Sequence, residues 1–333
     1  MASLATPSSL PSSTTTHRPG YVDGSKPGFL DEAAAAFYRE QGFLVVENAL
    51  KADELEAINQ DATAICRGEH GEFRGWVGPH EGQTDAEVLK NYLCIHFPHK
   101  ISDVMADALS HPAIVETLTG VIGPDVKCMQ SMLFIKSSGK PGQAWHQDED
   151  YIPTRDRSLA GGWIALDDAN VENGCLWVIP GSHKRGILWP QAQQDDPRFD
   201  CAEESGSFPY TDDDAVPVEV KAGAIVFFNG YLLHRSLPNK AKAGTYRRVL
   251  VNHYMSATSL LPWAGIAPSH DCFLDEHHTV AKADSRDIVM VAGEDPYGWM
   301  GTHERHTPHV RPSGEGGCVK AVPSKPGQAP STD

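Results

Sequence analysis

The stretch AIVFFNGYLLH, residues 224–234, decides the expected fold. Its apolar run 224–228 has the length of a strand, and His234 follows the apolar residues at the point where a barrel strand would end. Comparable short runs recur between turn signals after Gly123. We predict strands at residues 127–136, 162–166, 176–179, 216–220, 224–228 and 246–254. Many short strands joined by turns such as Asn173-Gly174 favour an antiparallel barrel or jelly roll.

Helical patterns precede the strands. We predict helices over residues 31–41, 52–67 and 101–118, the first of which begins with an acidic turn and continues through four alanines. No internal repeat and no alternation of strands with helices is evident, so a Rossmann sheet is not expected. The sequence therefore predicts a mainly β protein with flanking helices.

The two ends differ in composition from the middle. Residues 1–28 are rich in Ser, Thr, Pro and Ala, and residues 313–333 are rich in Gly, Pro and Ser, so we expect both to be disordered tails. Whether the first tail targets an organelle is left open. Residues 29–312 form one expected domain, in which 185–215 is an acidic insertion, long enough to be a lid over a site.

Charge and cysteine content exclude several classes of function. The chain of 333 residues has 44 acidic and 28 basic side chains and a net charge of -16, so nucleic acid is not an expected partner. No apolar run approaches the roughly 20 residues of a membrane-spanning helix. The seven cysteines contain no Cys-x-x-Cys pair, which is typical of reduced thiols in a cytoplasmic protein. The oligomeric state is not predicted.

The tetrapeptide Trp145-His146-Gln147-Asp148 is the clearest chemical signal. In an extended chain residues two apart point the same way, so His146 and Asp148 can grip one face of a metal, with His234 as a third ligand. Two histidines and one carboxylate form the facial triad of non-haem Fe(II) oxygenases. Taken alone the pattern is weak, because a chain with 16 histidines produces a His-x-Asp tripeptide readily by chance.

Several motifs together resemble the phytanoyl-CoA dioxygenase family of Fe(II)/2-oxoglutarate oxygenases over roughly residues 29–254. The matching pieces are MQSM (129–132), WHQD (145–148), GWIAL (162–166), ENGCL (172–176), IPGSH (179–183), HRS (234–236) and YRR (246–248). The resemblance implies a double-stranded β-helix, which is a cupin-like jelly roll, with Fe(II) as cofactor and 2-oxoglutarate and O2 as cosubstrates. It also implies that His146, Asp148 and His234 are the iron ligands.

Each ligand has an alternative. Asp150 could replace Asp148, although it lies four residues from His146 rather than two. His253 could replace His234, but it lies within a predicted strand, where a packed or hydrogen-bonded histidine is more common. His183 resembles a ligand but belongs to a segment that is a structural turn in the family.

The distal carboxylate of 2-oxoglutarate requires a cation, and a guanidinium can bind both of its oxygens. Arg247 and Arg248 are the candidates, and strand alternation alone does not choose between them because both faces continue apolar. The family pattern matches Arg247. By the same resemblance Ser236, Gln130 and Trp163 line the cosubstrate pocket, although Trp163 could equally be a core residue and Gln130 a hydrogen-bonding residue of a strand.

The expected function is hydroxylation of a small-molecule metabolite at a C–H bond, with release of succinate and CO2. Asp148 disfavours halogenation, because related halogenases have a small residue at that position. Desaturation, epimerisation and cyclisation use the same triad and are not separated by it. The alternative is a non-catalytic or isomerase-type cupin-like metal-binding protein. Two further groups contain histidines. Cys94, His96 and His99 are not expected to bind a metal, and the histidines within residues 303–309 are expected to lie in a solvated loop.

Overall fold

Two sheets pack face to face in the computed structural model, which describes residues 18–200, 203–261 and 285–311. Within these ranges the strands are β1 (Tyr21–Asp23), β2 (Phe43–Glu47), β3 (Cys94–His96), β4 (Val126–Ser137), β5 (Gln143–His146), β6 (Ala160–Ala165), β7 (Leu176–Val178), β8 (Gln191–Gln193), β9 (Glu203–Ser205), β10 (Val216–Val218), β11 (Ile225–Asn229), β12 (His234–Ser236), β13 (Tyr246–Ser256), β14 (Val289–Ala292) and β15 (His309–Arg311). The α-helices are α1 (Glu32–Gln41), α2 (Ala52–Arg67), α3 (Asp85–Leu89), α4 (Asp103–Asp107), α5 (Pro112–Val121) and α6 (Asp148–Tyr151).

The larger sheet has the order β1-β2-β11-β6-β13-β4-β3-β15, and β14 also pairs with β4. The smaller sheet has the order β10-β7-β12-β5, while β8 and β9 form a separate pair. Strands distant in sequence are neighbours, as β11 is of β2, and β11 pairs antiparallel with both of its neighbours. The predicted jelly roll with flanking helices is confirmed.

Alternation along β11 explains why residues 224–228 are apolar throughout. Val226 and Phe228 belong to the cluster between the two sheets, while Ile225 and Phe227 belong to the cluster between the larger sheet and the helices. All four residues are at most 2% exposed. Burying a side chain of this kind stabilises the fold by about 1.5–3 kcal/mol, so both faces of the strand hold it at the centre of the molecule.

Local capping signals set the helix boundaries. Helix α2 has the bounds that the sequence predicts, and α1 begins one residue later than expected because Asp31 is its N-cap and accepts a hydrogen bond from the Ala34 N–H at 2.8 Å. The single helix expected over 101–118 is wrong, because a 3-10 turn separates α4 from α5. Pro112 is the first residue of α5, and it disfavours helical geometry at His111, which has φ -52° and ψ 138°.

The ends of the expected domain differ from the sequence prediction where they are described. Part of the expected tail 1–28 is ordered, because Tyr21–Asp23 forms β1 and pairs in parallel with the otherwise open edge of β2. Residues 1–17 and the expected tail 313–333 lie outside the described residues. The insertion 185–215 contains the β8–β9 pair. Among the described helices, none is long and apolar enough to cross a bilayer.

Candidate metal and cosubstrate site

Two neighbouring strands of the smaller sheet bring the predicted metal ligands together. His146 ends β5 and His234 begins β12, and the two residues are direct partners in the antiparallel register, with ring centroids 4.1 Å apart. Asp148 follows two residues after His146, across an extended Gln147, and begins α6. One ligand atom from each of the three side chains lies within 4.8 Å of the others. The three residues proposed from sequence therefore form one cluster.

Backbone carbonyls set the tautomer of both histidines. The Nδ1 of His146 donates to the carbonyl oxygen of Ala144 at 2.8 Å, and that of His234 donates to Leu232 at 2.9 Å. Because a carbonyl only accepts, each Nδ1 carries a hydrogen, and Nε2 is the ring nitrogen of each histidine that is left to bind a metal. These Nε2 atoms lie 3.7 and 3.5 Å from Oδ1 of Asp148. Burial lowers the pKa of His146 to about 3, so this imidazole is neutral, as a metal ligand must be.

His253 is hydrogen-bonded to the carboxylate of Asp148. Its Nε2 lies 3.0 Å from Oδ2 of Asp148, on the side away from the Oδ1 that faces the two histidines. Burial opposes ionisation of Asp148, but the neighbouring His234 and His253 hold the pKa of its carboxyl well below the usual value. Outer hydrogen bonds of this kind orient metal-binding carboxylates. His253 is therefore a hydrogen-bonded histidine in this structure rather than a member of the cluster.

Two other alternative ligands lie apart from the cluster. The group of metal-capable side chains found in the described ranges contains neither Asp150 nor His183. The Nε2 of His183 donates to the carbonyl oxygen of Arg39 at 3.0 Å. His183 lies two residues after Gly181, whose φ of 75° makes the turn. His183 thus has the structural position that the sequence prediction gave it.

A cavity of about 340 Å³ adjoins the three ligands. Its wall contains all four residues that the sequence proposed for the cosubstrate, namely Gln130, Trp163, Ser236 and Arg247. Apolar side chains form much of the remaining wall: Met132, Phe134, Leu176, Phe228 and Val251. A cavity with an apolar wall and a few convergent polar groups is typical of small-molecule sites.

Arg247 and Arg248 point to opposite faces of β13 and have different partners. Arg248 donates from Nε and Nη2 to the two oxygens of Asp167, at 2.8 and 2.7 Å. Arg247 is 3% exposed, lines the cavity, and has its guanidinium carbon 5.6 Å from the centre of the Trp163 ring. Its Nε has no hydrogen-bond partner in the part of the chain that the structure describes.

An unpaired buried guanidinium is costly unless a ligand completes it. Burial lowers the pKa of Arg247 to about 10, which leaves it charged at neutral pH. The charge lies in the same cavity as the three metal ligands. The two histidines and Asp148 therefore fit a metal ion, and the Arg247 guanidinium fits a carboxylate of a ligand in the same cavity.

Lys136 is a residue of this region that the sequence reasoning missed. Its Nζ donates to Oγ of Ser236 and to the carbonyl oxygen of Leu237, both at 2.9 Å, and so links the larger sheet to the smaller one. Burial first, and then the charge of Arg247, hold the pKa of Lys136 well below its usual value. The signal in the sequence is alternation, because Lys136 shares a face of β4 with Phe134 and Met132, which line the cavity.

Gln147 connects the insertion by hydrogen bonds to the segment that contains His146 and Asp148, and the sequence analysis did not predict this role. Its amide nitrogen donates to the carbonyl oxygens of Ile187 and Tyr231, at 2.9 and 2.7 Å, and its amide oxygen accepts from the Trp189 N–H at 2.8 Å. Gln147 is 1% exposed. The start of the insertion is thereby fixed beside both ligand-bearing strands.

The expected solvated loop near the C-terminus contains the exposed His303 but not His309. His309 lies in β15, which pairs with β3, and its ring stacks on His96 at 4.7 Å. His306 is bonded through Nδ1 to Asp287 at 3.0 Å. The expectation of a loop is wrong at His309, which lies in a strand, whereas His306 lies in a loop and is half-buried against Asp287. Next along the chain, Arg311 lines the cavity and pairs with the buried Asp200 of the insertion.

Much of the chain is similar to known proteins. Residues 38–249 match the family model described as phytanoyl-CoA dioxygenase (PhyH). The chain is 37% identical over 269 residues to phytanoyl-CoA dioxygenase domain-containing protein 1 of Danio rerio, covering 66% of this chain and 88% of that protein. It is 41% identical over 113 residues to a phytanoyl-CoA dioxygenase of Arabidopsis thaliana, covering 33% of this chain and 38% of that relative.

The fold is similar to that of a solved structure, the epimerase SnoN in complex with Fe3+, alpha ketoglutarate and nogalamycin RO. The TM-score is 0.55 at 21% identity, and the alignment covers 77% of this chain and 96% of that one. At this identity the likeness concerns the jelly-roll fold.

Proposed function

Because the chain belongs to the phytanoyl-CoA dioxygenase family of Fe(II)/2-oxoglutarate enzymes, we propose that it hydroxylates a C–H bond of a small molecule. Fe(II) with bound 2-oxoglutarate supplies an oxidant made from O2, and succinate and CO2 are the accompanying products. We propose that His146, Asp148 and His234 hold the metal. Their donor atoms converge within 4.8 Å, and both histidines direct Nε2 toward Oδ1 of Asp148.

The observation that carries the proposal is the buried Arg247, which has no carboxylate partner among the described residues and lines the same cavity as the proposed metal ligands. In the proposed site this guanidinium binds the distal carboxylate of 2-oxoglutarate. A protein that only binds a metal has no need for a desolvated cation at this place. Trp163 supports the guanidinium through its ring face, and Ser236 offers a hydroxyl from the smaller sheet.

The remaining residues of the proposed site shape access. Apolar side chains from both sheets keep water from the cavity, while Gln147 holds the start of the insertion beside the ligand-bearing strands. Tyr151 lines the cavity from the end of α6 and is 36% exposed, so it borders the open side. A volume of about 340 Å³ accommodates 2-oxoglutarate and a small substrate.

We also propose a cytoplasmic location, which the unpaired buried thiols of Cys66, Cys94, Cys128 and Cys175 support.

Succinate release tests the proposal. Purified protein with Fe(II), O2 and 2-oxoglutarate should release succinate slowly without substrate and faster with a matching member of a metabolite panel. Mass analysis of that metabolite should show the gain of one oxygen atom. A product of unchanged mass, or one that has lost two hydrogens, would replace hydroxylation by epimerisation or by desaturation or cyclisation. No succinate with any metabolite would favour a metal-binding protein without oxygenase activity.

A further inference from the structure

The hydroxyl of Ser236 receives two hydrogen bonds from the protein. The Gln143 N–H donates to Oγ at 3.2 Å, and Nζ of Lys136 donates to the same atom at 2.9 Å. A serine hydroxyl has two acceptor lone pairs and one hydrogen to donate. Both lone pairs are therefore engaged, and the remaining hydrogen must point elsewhere.

The hydrogen of the Ser236 hydroxyl is free to point into the cavity. Ser236 is 7% exposed and lines the cavity together with Arg247. None of the hydrogen bonds between described residues uses the Ser236 hydroxyl as a donor. A buried hydroxyl donor without an acceptor is unfavourable, so a ligand acceptor in the cavity is the partner that completes it.

Lys136 is held in a buried position beside Arg247. It is 2% exposed and is the direct cross-strand partner of Arg247, in the register of β4 with β13. The turn at Gly174 closes over it, since a Cβ at that position would lie 3.2 Å from Nζ of Lys136 and 2.3 Å from the carbonyl oxygen of Leu237. With φ of 83°, Gly174 also has the left-handed backbone that favours glycine.

We propose that Lys136 is a positioning residue of the 2-oxoglutarate site, which directs the Ser236 hydroxyl hydrogen toward the distal carboxylate bound by Arg247. The inference rests on the proposed function. Lys136 does not line the cavity itself, so it acts through Ser236. Without the lysine, one lone pair of Ser236 is released, and the hydroxyl is no longer restricted to donate into the cavity.

Calorimetric binding to the Mn(II)-loaded protein tests this without turnover. Two ligands are compared, 2-oxoglutarate and 2-oxopentanoate, which has the same keto acid end and lacks the distal carboxylate. Lys136→Met should weaken the binding of 2-oxoglutarate about tenfold, the effect of a lost hydrogen bond to a charged acceptor. It should change the binding of 2-oxopentanoate less than about twofold, because that ligand does not use the Ser236 hydroxyl.

Lys127→Met is the matched control. Lys127 lies on the same strand, is 0% exposed and donates to the carbonyl oxygen of Ser259 at 2.8 Å, but does not line the cavity or contact Ser236. This variant should lose stability and keep its preference between the two keto acids. If Lys136→Met does not fold, Lys136→Gln replaces it, because its shorter amide fills the space without reaching Ser236, and the same selectivity is expected.

A double-mutant cycle separates positioning from a general effect of the lysine. In the Ser236→Ala background, Lys136→Met should weaken 2-oxoglutarate binding less than about twofold further. An equal loss with and without Ser236, or an equal loss for both keto acids, would overturn the positioning role. If the unaltered protein bound no 2-oxoglutarate, the proposed function would fail as well, whereas tight binding that Lys136→Met leaves unchanged would overturn this inference alone.

Discussion

Replacing Arg247 and Arg248 separately by methionine should have opposite consequences. Arg247 is buried and has no carboxylate partner in the described part of the chain, so an apolar side chain of similar length should leave the free energy of unfolding unchanged or higher. The binding of 2-oxoglutarate should weaken about 10- to 150-fold, since hydrogen bonds to a charged group contribute about 1.5–3 kcal/mol. Keto acids without the distal carboxylate should bind as before.

Arg248 provides the matched control on the adjacent position of the same strand. Its two side-chain bonds to Asp167 are partly exposed, with 18% and 23% of the two side chains accessible. Arg248→Met should therefore lower the free energy of unfolding by about 1–2 kcal/mol and leave the binding of 2-oxoglutarate unchanged.

Urea unfolding gives the stability of both variants, and calorimetry on the Mn(II)-loaded protein gives the affinity. Equal losses of affinity in the two variants would refute the assignment of Arg247 to the cavity. So would a stability loss confined to Arg247→Met.

Three further changes test the metal end of the site. Asp148→Ala should abolish succinate release while circular dichroism shows an intact fold, and retained turnover would exclude this carboxylate as a ligand. His253→Phe removes the bond to Oδ2 of Asp148 and should weaken metal binding about 10- to 100-fold in a competitive chelator titration, whereas an unchanged affinity would contradict its supporting role. Gln147→Leu frees the start of the insertion and should speed hydrogen exchange at Trp189 more than in β13, and equal protection would show that the insertion is held by other contacts.

Local patterns predicted most of the fold. The strand expected at 224–228 corresponds to β11, which lies one residue later in the chain. The strand could be predicted because an apolar run of that length must be covered on both faces. The proposed metal ligands could be named only in part from the residues themselves. His146 and Asp148 are two residues apart in an extended segment, and the resemblance to the family adds His234, which begins β12 and is the cross-strand partner of His146.

Contacts between distant segments were beyond the sequence. Alternation left Arg247 and Arg248 equivalent, and the difference arises because Asp167 lies against only one face of β13. The role of Lys136 depends on a serine 100 residues later in the chain, and no local pattern encodes that pairing. Strand β15 forms because β3 has an open edge, so its residues looked like a polar loop until their partner was known.

Anaerobic Fe(II) binding to the unaltered protein, to His234→Ala and to His183→Ala tests the central claim most directly. His183 follows β7 and His234 begins β12, which are paired strands of the smaller sheet, but only His234 presents its Nε2 to Asp148. We expect one high-affinity Fe(II) per chain in the unaltered protein and in His183→Ala, and its loss in His234→Ala. Retention of that iron in His234→Ala, or its absence from the unaltered protein, would contradict the account.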